Sequence, residues 1–229
     1  MADYPHIHCA GESALIVYLD SASSPRVSAQ VQALAQALRA ALPTELVDLI
    51  PSYASLLVLF DPFQTDHFHV RRLVREQLAT ATRVEASEGR LVELPAYYHP
   101  DAGEDLLRLA NERQLEWEEL VSLHTDQEYR VYAIGFAPGF AYLGDVDPRI
   151  AAPRLATPRQ RVPRGAVAIA DRQTAIYPAP SPGGWNLIGR SPQRMFDPDD
   201  EPSMPVQVGD RVRFVAMDRD SFFAAGGSL

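Results

Sequence analysis

Three glycines and three aromatic rings fall within ten residues at Gly135-Phe136-Ala137-Pro138-Gly139-Phe140-Ala141-Tyr142-Leu143-Gly144. Backbone freedom at Gly135 and Gly139 lets the chain approach a ligand or partner closely, while Phe136, Phe140 and Tyr142 can wall a pocket. The same residues also fit a glycine-rich corner between strands whose rings complete the core. Downstream, Ser181-Pro182-Gly183-Gly184-Trp185-Asn186-Leu187-Ile188-Gly189-Arg190 sets a glycine pair before a strand. Successive N–H groups there can turn toward an anion, with Ser181 and Arg190 as side-chain donors. The competing reading is a tight turn that sends Trp185 into the core. Gln173 and Thr174 read either as a polar rim or as a hairpin turn.

Between these two motifs lies Thr157-Pro158-Arg159-Gln160-Arg161-Val162-Pro163-Arg164-Gly165, which its prolines hold extended, so that Arg159 and Arg161 share one face if it runs as a strand. Six arginines and one acidic residue, Asp171, lie between Arg149 and Arg172 in a chain of formal net charge -9. Guanidinium groups match carboxylate and phosphate oxyanions through paired hydrogen bonds. For any single arginine, pairing with an acidic side chain is the expected use.

All six histidines lie at or before His124. Within Leu123-His124-Thr125, His124 can act as base or polariser, or close a helix C-terminus. His6-Ile7-His8 and His67-Phe68-His69 would each align both rings only in a strand, so no metal site is expected. Cys9, the only cysteine, excludes an intrachain disulfide and reads as a small buried hydrophobe.

The elements that must position these motifs come in two groups. Tyr4–Cys9 and Ala14–Leu19 read as short strands. Pro25–Leu42 reads as a helix, with Val27, Val31, Leu34 and Leu38 on one face, Ser24 as N-cap and Pro43 as stop. Leu46–Ile50 and Ser55–Phe60 are strands, and a helix from about Asp66 to Ala79 takes its apolar face from Phe68, Leu73, Val74 and Leu78. Residues 1–88 therefore suit a small ferredoxin-like α/β domain. After Ser87-Glu88-Gly89 a strand over Arg90–Tyr98 and a helical stretch over Gly103–Leu123 lead into short β runs at 129–134, 166–170, 174–177, 185–188 and 210–215. Residues 89–229 thus read as a β-sandwich or barrel domain, and the fold class is α+β.

The composition, 46% hydrophobic and 22% charged over 229 residues, is that of a globular protein. An acidic chain with a pI of about 5.1 argues against nucleic acid as partner. No lysine occurs, which excludes Schiff-base, Walker and biotinyl lysines on this chain. Without a membrane-length apolar run or a leader pattern, the chain is expected to be cytoplasmic, with no membrane partner.

Taken in order, His124-Thr125, GFAPGFAYLG, TPRQRVPRGAVAIADRQTAIYP and SPGGWNLIGR resemble the KipI/PxpB family, the B subunits of bacterial 5-oxoprolinase, also called allophanate hydrolase subunit 1 or carboxyltransferase subdomain C. The resemblance is dense from about Ser122 to Pro192. Ala141 stands where a second proline is common in the family. The resemblance implies a cyclophilin-like barrel after the α/β domain. It also implies ATP with magnesium as co-substrate, shared with PxpC- and PxpA-type partners, in opening 5-oxo-L-proline to L-glutamate. On the matching positions it implies His124, Arg159 and Arg190 as catalytic. It implies Gly135, Pro138, Gly139, Tyr142, Gly165, Gln173, Thr174, Tyr177, Ser181, Gly183, Gly184 and Trp185 as substrate- or nucleotide-binding. The alternatives it leaves are a KipI-type inhibitor of a sensor histidine kinase and a carboxyltransferase or allophanate hydrolase-type subunit, whose biotin would sit on another chain.

Overall fold

Spacing of Val27, Val31, Leu34 and Leu38 along one face produces, in the computed structural model, helix α1 (Pro25–Ala41), and all four side chains are buried. The Ser24 hydroxyl accepts a hydrogen bond from the Val27 N–H at 3.2 Å, capping the first turn. The structure describes residues 4–83 and 89–229 and divides into two units, Met1–Glu88 and Gly89–Leu229. Ser87 and Glu88 of the expected boundary lie outside the described residues.

In the first unit, β1 (His6–Cys9), β2 (Ala14–Tyr18), β3 (Leu46–Pro51) and β4 (Ser55–Phe60) pair antiparallel in the order β1-β2-β4-β3. Helices α1 and α2 (His67–Ala81) pack on one face, and Leu15, Val17, Leu56, Val58 and Phe60 of the strands join them in a single core. Two expectations are corrected here. Phe68, expected on the apolar face of α2, is 86% exposed, because the core takes Val70, Val74 and Leu78 as the buried face of the helix. Cys9 is exposed rather than buried, with its Sγ 3.4 Å from the Arg71 guanidinium.

The second unit is built around a seven-stranded sheet. Its strands are β5 (Leu91–Ala96), β6 (Tyr129–Ile134), β7 (Ala141–Gly144), β9 (Ala166–Ala170), β10 (Gln173–Ile176), β12 (Asn186–Arg190) and β13 (Arg211–Ala216), in the order β12-β9-β10-β7-β6-β13-β5. The sheet curls until its two edges nearly meet. Tyr97, just beyond β5, exchanges hydrogen bonds of 2.7 and 2.8 Å with Arg190 at the end of β12, which leaves a nearly closed barrel. Its interior holds Leu94, Val131, Leu143, Val167, Ile169, Ile176, Ile188, Val212 and Phe214.

The helical stretch is two helices rather than one. α3 (Leu106–Arg113) ends at Gln114, whose left-handed φ of 58° stops it, and α4 (Trp117–Thr125) follows. A short ribbon pairs β8 (Arg159–Val162) with β11 (Ser181–Gly183), and α5 (Arg219–Ala224) lies near the end of the chain. Among the described residues, no helix is long and apolar enough to cross a membrane.

Candidate functional site

Strand β9 is buried along its whole length, and its alternation decides what each face holds. Val167 and Ile169 point into the barrel, whereas Ala166, Ala168 and Ala170 face outward together with Ala175 of β10. Methyl side chains leave depth there, and Phe140, Tyr177 and Trp185 fill it as a second core. Phe140 is the hub: its ring lies edge-on to Phe136, Tyr142, Tyr177 and Trp185 at centroid distances of 5.2, 4.9, 5.2 and 5.5 Å.

These rings do not close completely. A cavity of about 90 Å³ opens among Phe136, Phe140, Tyr142, Arg154, Tyr177 and the segment Pro182–Trp185. At roughly 30 Å³ per water, that is space for about three waters, or for a small ring. A nucleotide is far larger. The Gly135–Gly139 loop delivers Phe136 to the mouth with φ of 72°, in the left-handed region, and leaves its ring 64% exposed. Positive φ at a non-glycine residue is strain of the kind that gathers at binding sites. Burial pushes the Tyr142 and Tyr177 phenols up from their ordinary range, against the pull of the Arg154 charge.

The wall opposite Phe136 rests on charged residues. Asp105, at the start of α3, makes no helix cap with its side chain. Its carboxylate instead accepts from the Leu187 N–H and the Arg159 guanidinium, both at 2.8 Å, and from Arg108 at 3.2 Å. Arg159 also donates to the Trp185 carbonyl at 3.4 Å and pairs with Glu104. Arg108 reaches the Asn186 side chain at 2.6 Å. The ion pairs thus hold the backbone that carries Trp185.

Of the residues singled out in the sequence, Tyr142, Tyr177, Gly183, Gly184 and Trp185 line this cavity. Gly135 and Pro138 flank Phe136 in its loop, Ser181 opens β11, and Gln173 pairs with Ala170 and Gly144 inside the sheet. Gly139 and Gly165 lie beneath neighbouring backbone, where a Cβ would stand 2.7 Å from the Met195 carbonyl and 2.3 Å from the Ser191 carbonyl. Their glycines answer to chain packing.

The barrel interior takes His124 and Thr174. The His124 ring is fully buried, 2.8 Å from the Tyr98 hydroxyl at Nδ1 and 2.8 Å from the Thr174 hydroxyl at Nε2. Burial depresses its pKa to about 3. The ring has no solvent-exposed surface and faces the Tyr98 and Thr174 hydroxyls. Thr174 is no rim residue, because the turn falls at Asp171-Arg172 and the strand period points its side chain inward. Arg190 is buried at the barrel seam, donating to the Arg164 and Ser228 carbonyls at 3.5 and 3.2 Å while its Nε finds no acceptor among the described residues. Burial pushes its pKa down.

Arg154 and Asp105 do not stand out in the sequence. Arg154 sits in the same arginine-rich run as five others and nothing local distinguishes it, while Asp105 reads only as a helix-start residue.

Comparisons with known proteins show the family and the fold to which this chain is similar. The family profile described as carboxyltransferase domain, subdomain C and D, covers residues 5–206. A Bacillus subtilis protein, named as the B subunit of 5-oxoprolinase, is 36% identical over 224 residues, 93% of this chain and 93% of its own. A Haemophilus influenzae protein of the same name is 37% identical over 204 residues, 89% of this chain and 94% of its own. The crystal structure of TTHA0988 superposes with a TM-score of 0.79 at 38% identity over 90% of this chain, which spans 40% of that longer one. Kluyveromyces lactis urea carboxylase, at 14% identity and a TM-score of 0.74, shares the fold over 98% of this chain and 23% of its own.

Proposed function

Because this chain belongs to the family of carboxyltransferase domains, subdomains C and D, we propose that it is the B subunit of a 5-oxoprolinase and that the aromatic cavity receives the lactam ring. One observation carries the site: two stretches far apart in sequence, the 136–142 loop and the 177–185 turn, put their rings around a single small cavity. Flat aromatic walls suit a flat five-membered amide ring.

A lactam is a poor electrophile, because resonance spreads the nitrogen lone pair onto oxygen. Phosphorylation of its exocyclic oxygen by ATP, the co-substrate, would activate the carbonyl carbon: water adds there, the ring C–N bond breaks to leave a free amine and an acyl phosphate, and a second water displaces the phosphate to give glutamate. This chain's part is to hold the ring, strip water from it and leave its oxygen facing outward. The cavity is too small for a nucleotide, so the phosphates and their magnesium belong at its mouth or on PxpA- and PxpC-type partner subunits. Magnesium needs few protein ligands when phosphates carry it. We place the assembly in the cytoplasm.

We also read residues 1–88 and 89–229 as two domains. The order β1-β2-β4-β3 under two helices suits a ferredoxin-like sandwich whose last strand has moved to the front of the chain. The nearly closed seven-stranded sheet suits a cyclophilin-like barrel.

The test is reconstitution with the A- and C-type subunits, following glutamate and ADP from 5-oxo-L-proline and ATP. A correctly assembled complex that produces neither overturns the proposal. Trp185→Ala in that complex is expected to raise KM for 5-oxoproline at least tenfold.

A further inference from the structure

Arg154 is exposed at the rim of the aromatic cavity, its guanidinium carbon 5.8 Å from the centre of the Trp185 ring. Its position is built by the backbone on both sides. The Pro153 carbonyl accepts from the Asn186 amide at 2.9 Å, and the Leu155 N–H donates to the Gly184 carbonyl at 2.7 Å. Residues 153–155 are therefore stitched to 184–186, which delivers Arg154 over Trp185.

Three of the other five arginines of this run have carboxylate partners. Arg149 pairs with Asp147, Arg159 with Asp105 and Arg172 with Asp145. Among the described residues Arg154 has no carboxylate partner, and its contact is with an aromatic face. A guanidinium held over a ring face spends no N–H on it, and its fork matches the two oxygens of a carboxylate.

We infer that Arg154 is the carboxylate receptor of the cavity, so that its ligand is a small ring bearing an acid group rather than a neutral cyclic amide. The inference rests on the proposed function for the identity of the ring, and it adds which part of the ligand is recognised and by which residue. In this arrangement the aromatic walls bury the ligand ring, Arg154 holds the acid at the mouth, and the ligand can enter in one orientation only. A neutral lactam would fill the same space without that anchor.

The test is binding, read apart from turnover. With Trp117→Phe as background, Trp185 is the sole indole and its fluorescence reports on the cavity. The full chain is titrated with 5-oxo-L-proline and with 2-pyrrolidinone, which lacks the carboxylate, and the titration is repeated in the complex with the partner subunits. The expected result is saturable quenching by 5-oxo-L-proline that weakens about tenfold to hundredfold in Arg154→Gln, as loss of a charge-assisted pair implies. Arg154→Lys should recover part of this. 2-Pyrrolidinone should bind weakly and equally to all variants. Equal affinity of the two ligands, an unchanged constant in Arg154→Gln, or no binding in either form overturns the inference. Turnover that is indifferent to Arg154 leaves the 5-oxoprolinase assignment standing and removes the receptor. Arg154-dependent binding in a complex without turnover does the reverse. Because Arg154 is exposed, its variants should melt like the parent, and circular dichroism checks that.

Discussion

Gly183 leaves free the space that the Tyr177 hydroxyl occupies: a Cβ at Gly183 would stand 2.3 Å from that oxygen and 2.9 Å from the ring carbon bearing it. Tyr177 cannot swing away, because its ring is buried against Phe140. Gly183→Ala should therefore cost about 1–3 kcal/mol in urea denaturation, the usual penalty of overpacking, and should weaken ligand binding in the cavity. Removing the hydroxyl with Tyr177→Phe should restore part of the loss. Strictly additive effects in the double variant would show that the two residues do not touch.

Gly165 and Gly139 separate packing from binding. Both have left-handed φ, 79° and 85°, and both face a neighbouring carbonyl at less than 3 Å from a built Cβ. Alanine at Gly165 should destabilise by more than about 1 kcal/mol, while alanine at Gly135, which meets nothing within 4 Å, should be close to neutral. Thermal melts of the two variants decide this. Gly135→Ala matching Gly165→Ala in its loss would refute the packing account.

Local pattern makes most of the first unit legible. The α1 face, its Ser24 cap and the strands at 46–50 and 55–60 depend on neighbours a few residues away, and periodicity records those. Phe68 departs from the pattern because residues at helical spacing suggest an apolar face without fixing its centre, which the core decides in favour of Val70. In the second unit β7 is hidden by its glycines and rings, which look like a loop although they run in mid-sheet. The aromatic cavity is half legible: the two ring-bearing motifs stand out, but no local signal says that they meet. Asp105 and Arg159 are 54 residues apart and Arg154 has no pattern of its own, so their roles appear only once the chain is folded.

Asp105 offers a sharper test of that hidden support. Its buried carboxylate holds Arg159, Arg108 and the Leu187 N–H together. Asp105→Ala should cost about 1–3 kcal/mol, since it removes the acceptor of the Leu187 N–H while Arg159 and Arg108 keep Glu104 and Glu112. It should also loosen Trp185, shifting its emission to the red in the folded state. A destabilised variant with unchanged Trp185 emission would show that Asp105 holds the barrel without holding the cavity.

The histidine inside the barrel makes the fold sensitive to acid. His124 is wedged between the Tyr98 and Thr174 hydroxyls, with Phe214 at a ring distance of 4.5 Å, and burial holds its pKa at about 3. An unfolded chain would bind a proton at about pH 6.5. The folded pKa is the lower one, so the stability contributed by the neutral ring is complete above about pH 6.5 and is lost as pH falls toward 3. In that window the unfolded state holds one more proton, and the unfolding constant rises roughly tenfold per pH unit. Carboxylates titrate in the same range, which a subtraction removes: His124→Gln keeps polar atoms beside Tyr98 and Thr174 but does not titrate. Between about pH 7.5 and pH 5 the parent should lose about thirtyfold more in its folding constant than the variant, measured by urea denaturation. Equal losses would mean that His124 charges freely in the folded chain, which requires the ring to reach water.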